Sequence, residues 1–463
     1  MLDIAIVGLY LILLVGIGLR GGRDVKNAAD FTASDKQYGM FVIFATLSAS
    51  FIGGGYSSGN AAAAFEHGIG TALTLFGFGI GMILIGKYLV PGVRHFPNAK
   101  TVGGVIGSAY GESARYVTGI FSFLCCAGVV GAQMESIGLV FHSLLGVSPK
   151  IGTLMGCFVV LVYTTFGGLG SVIFADMLQF VLLAVGMPLL LVLSVNKGGG
   201  VGALMERLPA QLLSPLNELS LPAFLSLFFS MMFGEALAPP YMQRLLIGKN
   251  PRSTARGTIL SGLFSLPFFL VTAGVGLAAR ALHVTDTAAY AMPDLILAIL
   301  PIGLRGILMA AMVSIILSAA DGFLNGATVS LVCDTILPRH PHLSDRTQLR
   351  LLRGVNLITG VAAVIVSFSV PDVFSILLLA YSLWSPVILV PLAAALLGVK
   401  ASANRFLCSA AAGFFACLVW NVFLAKPFGI DGCIVGTLAN LAVFWLCKAR
   451  LPRFVVWIRH QNK

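Results

Sequence analysis

Four carboxylates sit inside otherwise apolar runs: Glu135, Asp176, Glu235 and Asp321. At the centre of a membrane span each costs about 2.5–3.5 kcal/mol or more, so each must face a partner or an aqueous cavity. No Lys or Arg lies deep in the same runs unless Arg244 or Arg305 reaches inward, which leaves bound cations as the natural counter-charge. Asp321 lies in "ILSAADGFLNGAT", where Ser318, Asp321 and Asn325 project from one helical face. A hydroxyl and a carboxylate on one stripe suit a hard cation bound through oxygen. An interhelical hydrogen-bond stripe is the alternative, and the carboxylate tips the reading toward an ion or a proton. Asp176, in "GGLGSVIFADMLQ", either joins that chemistry or caps backbone groups near the inner surface. Glu135 and His142 share a helical face and are expected to pair with each other, with a proton relay as the alternative.

Two of the apolar runs carry residues that oppose a continuous helix. "SASFIGGGYSSGN", Ser48 to Asn60, places three glycines in succession, and "FGEALAPPYMQR", Phe233 to Arg244, combines Gly234, Glu235 and the Pro239-Pro240 pair. In lipid a backbone that leaves helical geometry must find partners for its freed groups. Interrupted helices at matching positions of two halves are the sequence mark of a transport site near the midplane. Glycine spacing for helix packing is the plainer reading of either break alone; two in register favour the site. Glu235 beside the second break either holds an amine of a solute or caps the broken helix.

The elements that position these residues follow from hydropathy. Of 463 residues 58% are hydrophobic and 10% charged, against about 25% charged in an ordinary soluble domain. The expected fold is an all-α polytopic membrane protein of about thirteen transmembrane helices. The spans fall near 2–20, 38–65, 68–90, 116–146, 150–166, 171–194, 221–246, 257–280, 303–332, 351–370, 373–398, 406–425 and 432–449. The breaks lie in spans 2 and 7, each opening a block of five. Five is odd, so the blocks 38–194 and 221–398 enter the membrane from opposite sides as two inverted repeats, with 2–20 and 406–449 peripheral to them. The whole chain, 1–463, reads as a single transmembrane domain. The run 2–19 has an acid where a signal peptide has basic residues, and is expected to stay as a span.

Most of the 29 Lys and Arg fall in loops of one side, which places the amino terminus outside and the carboxyl terminus in the cytoplasm of a plasma or inner membrane. That asymmetry accounts for the net charge of +11 through the anionic inner leaflet, without nucleic acid. The basic tail "KARLPRFVVWIRH" reads as a lipid-facing anchor, with a partner-binding helix as the alternative. The eight cysteines are read as small core residues without disulfides. No phosphate-binding glycine loop or metal-spaced His/Cys cluster is present, so neither an enzyme nor a cofactor is expected.

The stretches "SASFIGGGYSSG", "GGLGSVIFADMLQ", "PPYMQRLL" and "SAADGFLNGA" resemble the signature segments of the sodium:solute symporter family, from about residue 2 to 450. "FIGGGYSSG" and "YMQR" are most similar to its choline-transporter branch. The resemblance implies a five-plus-five inverted repeat and a sodium site built from the carbonyls of Ala49, Ile52 and Ile315 and the hydroxyl of Ser318. Where the family usually has a second hydroxyl this chain has Ala319, and Asp321 can supply the missing oxygen. Asp176 matches an aspartate that supports a second sodium in some members. Phe51, Val129 and Ala238 occupy the tryptophan positions of the choline cage, and one aromatic of three excludes choline itself. Phe51, Tyr56, Tyr381 and Trp384 are expected to line the pocket with Glu235. The reading is a secondary active symporter that couples Na⁺ entry to uptake of a small polar organic solute, cationic or zwitterionic, by alternating access. Proton coupling through Asp321, Asp176 or Glu235, and a transport-dead sensor, are the alternatives.

Overall fold

The fold was taken from a computed structural model, which describes residues 1–446 except 24, 26, 28, 29, 32–36, 217, 218 and 371. The basic tail and Cys447 lie outside the described residues. The chain is a bundle of apolar helices around one that is almost wholly enclosed. Helix α1 (Leu2–Gly21) runs along the outside. The first interrupted span follows as α2 (Met40–Phe51) and α3 (Asn60–His67), joined through a π-helical turn at Gly55–Gly59. Next come α4 (Gly70–Leu84), α5 (Glu112–Leu145) and α6 (Pro149–Lys197). The second interrupted span is α7 (Leu221–Gly234) with α8 (Pro239–Leu246). Helices α9 (Pro251–Ala281), α10 (Leu304–Leu331), α11 (Asp345–Ser369) and α12 (Val373–Trp384) complete the core. Helices α13 (Ala403–Leu418) and α14 (Gly432–Leu446) pack on its side.

Helix starts follow local chemistry. Ser148 and Asn250 stand before Pro149 and Pro251, and each side chain accepts an amide of the first turn (Asn250 from Ser253, 2.8 Å). A capping oxygen followed by a proline that needs no N–H partner is a strong start signal. Asp372 does the same for α12, accepting from the Ser375 amide at 2.9 Å.

Helix α10 is the axis. Its most apolar stretch is 94% buried, against 22% for α1 and 28% for the span containing α13. A helix apolar all round belongs in a bundle centre, and one with a single covered side belongs at its lipid-facing edge. At its amino-terminal end α10 is tied to α1: Asp3 pairs with Arg305 and accepts the Gly303 amide at 2.8 Å. That pair accounts for Arg305, which does not reach the bundle interior.

Among the described residues nine helices are long and apolar enough to cross a membrane, and counting each bent pair as one span gives eleven. The count of thirteen is not confirmed. Spans 5 and 6 lie on the single 49-residue helix α6, which continues through the glycine-rich turn expected at 167–170.

Candidate functional site

Both interruptions occur where the sequence places them, bent by 62° between α2 and α3 and by 46° between α7 and α8. At the first, the hydrogen-bond ladder lapses after Ile52 N–H to Ser48 O (3.2 Å) and resumes with Ser57 N–H to Gly53 O (3.1 Å). Among the described residues no backbone amide across the break donates to the carbonyls of Ala49 or Ile52. Those two oxygens are therefore open to a cation. The glycines are needed for close approach. A Cβ on Gly53 would lie 2.4 Å from the Ala319 Cβ, and one on Gly54 would lie 2.1 Å from Ser136 Oγ. The Gly54 amide donates to Gln133 Oε1 at 2.6 Å. Gly53 thus lays the first break directly on α10 at Ala319, next to Ser318.

The second break differs in detail from the sequence reading. The proline pair does not interrupt the helix; it occupies the first two positions of α8, where missing N–H groups cost nothing. The interruption is Glu235–Ala238, with Leu237 at a positive φ of 57°. Trp384 Nε1 holds it by donating to the Ala236 carbonyl at 2.9 Å.

A fully buried polar knot joins the first break to α6, α8 and α10. Asp176 accepts from the Ser318 hydroxyl, from Thr46 Oγ1 at 2.5 Å and from Arg244 Nη2 at 2.9 Å. Arg244 also donates through Nε to Thr46 Oγ1 (2.9 Å) and through Nη1 to the Pro240 carbonyl (3.0 Å). Neither Asp176 nor Arg244 has any exposed side chain. Of the two arginines that the sequence left able to reach inward, Arg244 of α8 does so and is the resident partner of Asp176. One turn beyond Ser318, Asp321 Oδ2 accepts from Tyr163 at 2.8 Å, and Tyr163 also donates to the Leu317 carbonyl at 2.9 Å. Asp321 Oδ1 and Asn325 Oδ1 are buried without a partner among the described residues. Ile315 is buried one turn before Ser318 on the same helix. The six residues expected around sodium (Ala49, Ile52, Ile315, Ser318, Asp321 and Asp176) are thus gathered where α2, α6 and α10 meet.

The second set surrounds Glu235, which is 1% exposed and accepts from the Tyr241 hydroxyl at 2.5 Å. The rings form a closed circuit. Tyr241 faces Phe78 (centroids 6.0 Å), Phe78 faces Tyr56 (5.1 Å), and Tyr56 meets Tyr381 hydroxyl to hydroxyl at 2.8 Å. Tyr381 lies against Gly234, where a Cβ would be 2.3 Å from its ring, and so closes the circuit at Glu235. Phe51 adjoins at 5.1 Å from Phe78, and Phe269 stacks on Tyr56 at 5.5 Å. Tyr381 touches both breaks, so the two face one another across this ring. Phe51, Tyr56, Glu235 and Tyr381 belong to it, and Trp384 adjoins through the Ala236 carbonyl of the second break. Phe78, Tyr241 and Phe269 were not singled out by the sequence, since a lone aromatic in an apolar span carries no signal; Tyr241, six residues after Glu235 in "YMQR", was the nearest to legible.

Glu135 and His142 do not pair. His142 Nδ1 lies 2.7 Å from the Val147 carbonyl and its ring packs on Tyr290, centroids 4.9 Å apart, which turns it away from Glu135. Helix α5 ends at Leu145, and the reversal at Gly146 brings that carbonyl back to the ring.

The family model described as the sodium:solute symporter family matches residues 31–413. The chain belongs to this family. The family is one of transporters, not enzymes. The sodium/pantothenate symporter of Escherichia coli is 23% identical over 94% of this chain and 94% of its own length. Mouse solute carrier family 5 member 4A is 25% identical over 78% of the chain, and the match spans 63% of that longer protein. A Drosophila melanogaster high-affinity choline transporter is 24% identical over 40% of the chain. Among solved structures, a Na⁺-coupled sialic acid symporter in a substrate-bound outward-open state superposes with a TM-score of 0.81 over 97% of this chain and 98% of that one, at 16% identity. That likeness establishes the shared symporter fold.

Proposed function

We propose that the protein is a secondary active symporter in which inward Na⁺ movement drives uptake of a small polar organic solute by alternating access. The observation that carries this reading is the opposition of the two breaks. The open carbonyls of Ala49 and Ile52 lie on the helix that also presents Thr46 to the Asp176–Ser318 knot, and Glu235 with its aromatic ring lies between the same broken helices. A cation bound at the first group holds α2 against α10, and a solute bound at the second spans α3 and α7. Each ligand orders elements that the other also needs, which is the physical basis of coupling. Ala49, Ile52, Ile315 and Ser318 would ligate Na⁺, with Asp321 Oδ1 the unfilled acceptor one turn away. The reading keeps the inverted repeats at 38–194 and 221–398, which require the chain to reverse within α6 near 167–170 so that Tyr163 and Asp176 both reach the Leu317–Asp321 turn of α10, and an outside amino terminus.

The test is reconstitution. Proteoliposomes exposed to a metabolite mixture are given an inward Na⁺ gradient or an inward proton gradient, and what accumulates is read by mass spectrometry. Solutes that accumulate under the Na⁺ gradient alone support the reading. Accumulation under the proton gradient alone assigns the coupling to a proton and overturns the sodium assignment. No accumulation under either, from protein that folds, overturns symport.

A further inference from the structure

Away from the two breaks, a groove of about 290 Å³ lies between α12 and the helix formed by α13 and the turn that follows it. We propose that this groove is a phospholipid site, in which one acyl chain lies between the helices and the headgroup phosphate meets Lys426.

The shape follows from how the two helices meet. Gly413 of α13 approaches the turn after α12 so closely that a Cβ would lie 1.9 Å from the Pro386 carbonyl oxygen. One turn on, Cys417 Sγ is still 3.7 Å from the Ser382 carbonyl. From there the groove opens, and it extends along α12 from Leu383 to Ser375, about 12 Å at the helical rise. Its walls are Leu379, Leu383, Phe414, Leu418 and Val422. Leu379 and Val422 are 49% and 64% exposed, so the groove is open along its side to the face that the bilayer covers. An acyl chain laid in such a cleft restores the contacts that its apolar walls would otherwise lose.

The polar groups of the lining define the other end of the ligand. Asp431 accepts from Lys426 Nζ at 2.9 Å and from the Cys433 amide at 2.8 Å. Ser375 donates to Asp372 (2.6 Å), Ser382 donates to the Leu378 carbonyl (3.0 Å), and Asn421 Oδ1 accepts the Gly432 amide (2.7 Å). The Lys426 ammonium has three N–H donors and uses one on Asp431, so it keeps capacity for a ligand that accepts. A phosphate oxygen is the acceptor whose charge complements it.

The backbone around Lys426 points the same way. Ala425, Lys426 and Phe428 have φ of 52°, 54° and 57°, a left-handed geometry that is costly without glycine and persists only where the surroundings impose it. Trp420 imposes it here: its Nε1 donates to the Ile430 carbonyl at 2.9 Å, and its carbonyl accepts the Lys426 amide at 3.1 Å. The loop also exposes Phe423 (75%) and Phe428 (81%) on either side of the lysine. Large apolar side chains flanking a lysine and an indole place it at the boundary of hydrocarbon and headgroup, where lipid phosphates lie, and not in open water. A lipid seated there bears on α12, the helix whose Tyr381 packs on Gly234 at the second break.

The experiment is native mass spectrometry of the delipidated full chain in detergent, titrated with dioleoylphosphatidylglycerol, with dioleoylglycerol and with inorganic phosphate. The first phosphatidylglycerol binds at least about tenfold more tightly than dioleoylglycerol, and phosphate alone does not bind. Lys426→Gly removes the ammonium at a position whose backbone suits glycine, and loses that preference, whereas Lys426→Arg retains it. Leu379→Trp fills the groove and weakens the first phosphatidylglycerol at least about tenfold, and it serves if the glycine variant does not fold. Equal affinity for the two lipids, phosphate bound without a chain, or a preference unaltered in Lys426→Gly and in Leu379→Trp overturns the proposal. So does a dimer that forms with no lipid retained, which would give the groove to a second copy of the chain.

Discussion

At the scale of single residues, the buried acids were legible because charge in an apolar run is costly, and Asp176, Glu235 and Asp321 all lie in the site. Their partners were not. Thr46, Tyr163 and Tyr241 are hydroxyls in apolar spans, where they often only bond their own helix. Arg244 was only one of two arginines that could reach inward, and it is wholly buried on Asp176 at 2.9 Å. That pair yields a prediction. Removing one partner of a buried pair leaves an uncompensated charge, so Arg244→Met should cost about 3–5 kcal/mol. Na⁺ can replace part of the missing positive charge, so the variant's melting temperature should rise more steeply with Na⁺ than that of the wild type. Parallel melting curves in Na⁺ and in K⁺ at equal ionic strength check it; equal slopes for both proteins would separate Asp176 from the cation site.

At the scale of elements, the breaks were legible from composition, but their construction was not. Gly53 and Gly54 are present because α5 and α10 approach too closely for a Cβ, which depends on partners more than seventy residues away and leaves no local pattern. The proline pair was read as an interruption, whereas it starts α8; proline permits both, and the turn that matters is held by Trp384 on Ala236. Because the Gly54 contact is steric, it can be tested by compensation. Gly54→Ala places its Cβ 2.1 Å from Ser136 Oγ and should destabilise by about 1–3 kcal/mol. Ser136→Gly removes the Cβ and hydroxyl in the way, so the double variant should regain a measurable part of that loss. Additive losses in a thermal double-mutant cycle would mean the glycine is needed for backbone conformation alone.

At the scale of the whole molecule, the membrane class and the bundle follow from hydropathy, and the family follows from four short segments that the fold brings to one centre. The number of spans was less legible, because hydropathy does not mark where a continuous apolar sequence such as that of α6 turns. The proposed orientation, with the amino terminus outside, rests on the distribution of Lys and Arg. In a cysteine-free background and in intact cells, a cysteine at Lys150 should react with a membrane-impermeant maleimide and one at Lys249 should not; the opposite pattern inverts the topology. The central claim is that one coupling cation is held between the first break and the Asp176–Ser318 pair. Equilibrium binding of radioactive sodium to the purified wild type and to Ser318→Ala tests it most directly. The account predicts saturable binding to the wild type and, because Ala319 offers no second hydroxyl, a half-saturating concentration at least about tenfold higher in the variant. Saturable binding of equal affinity in both proteins would contradict it.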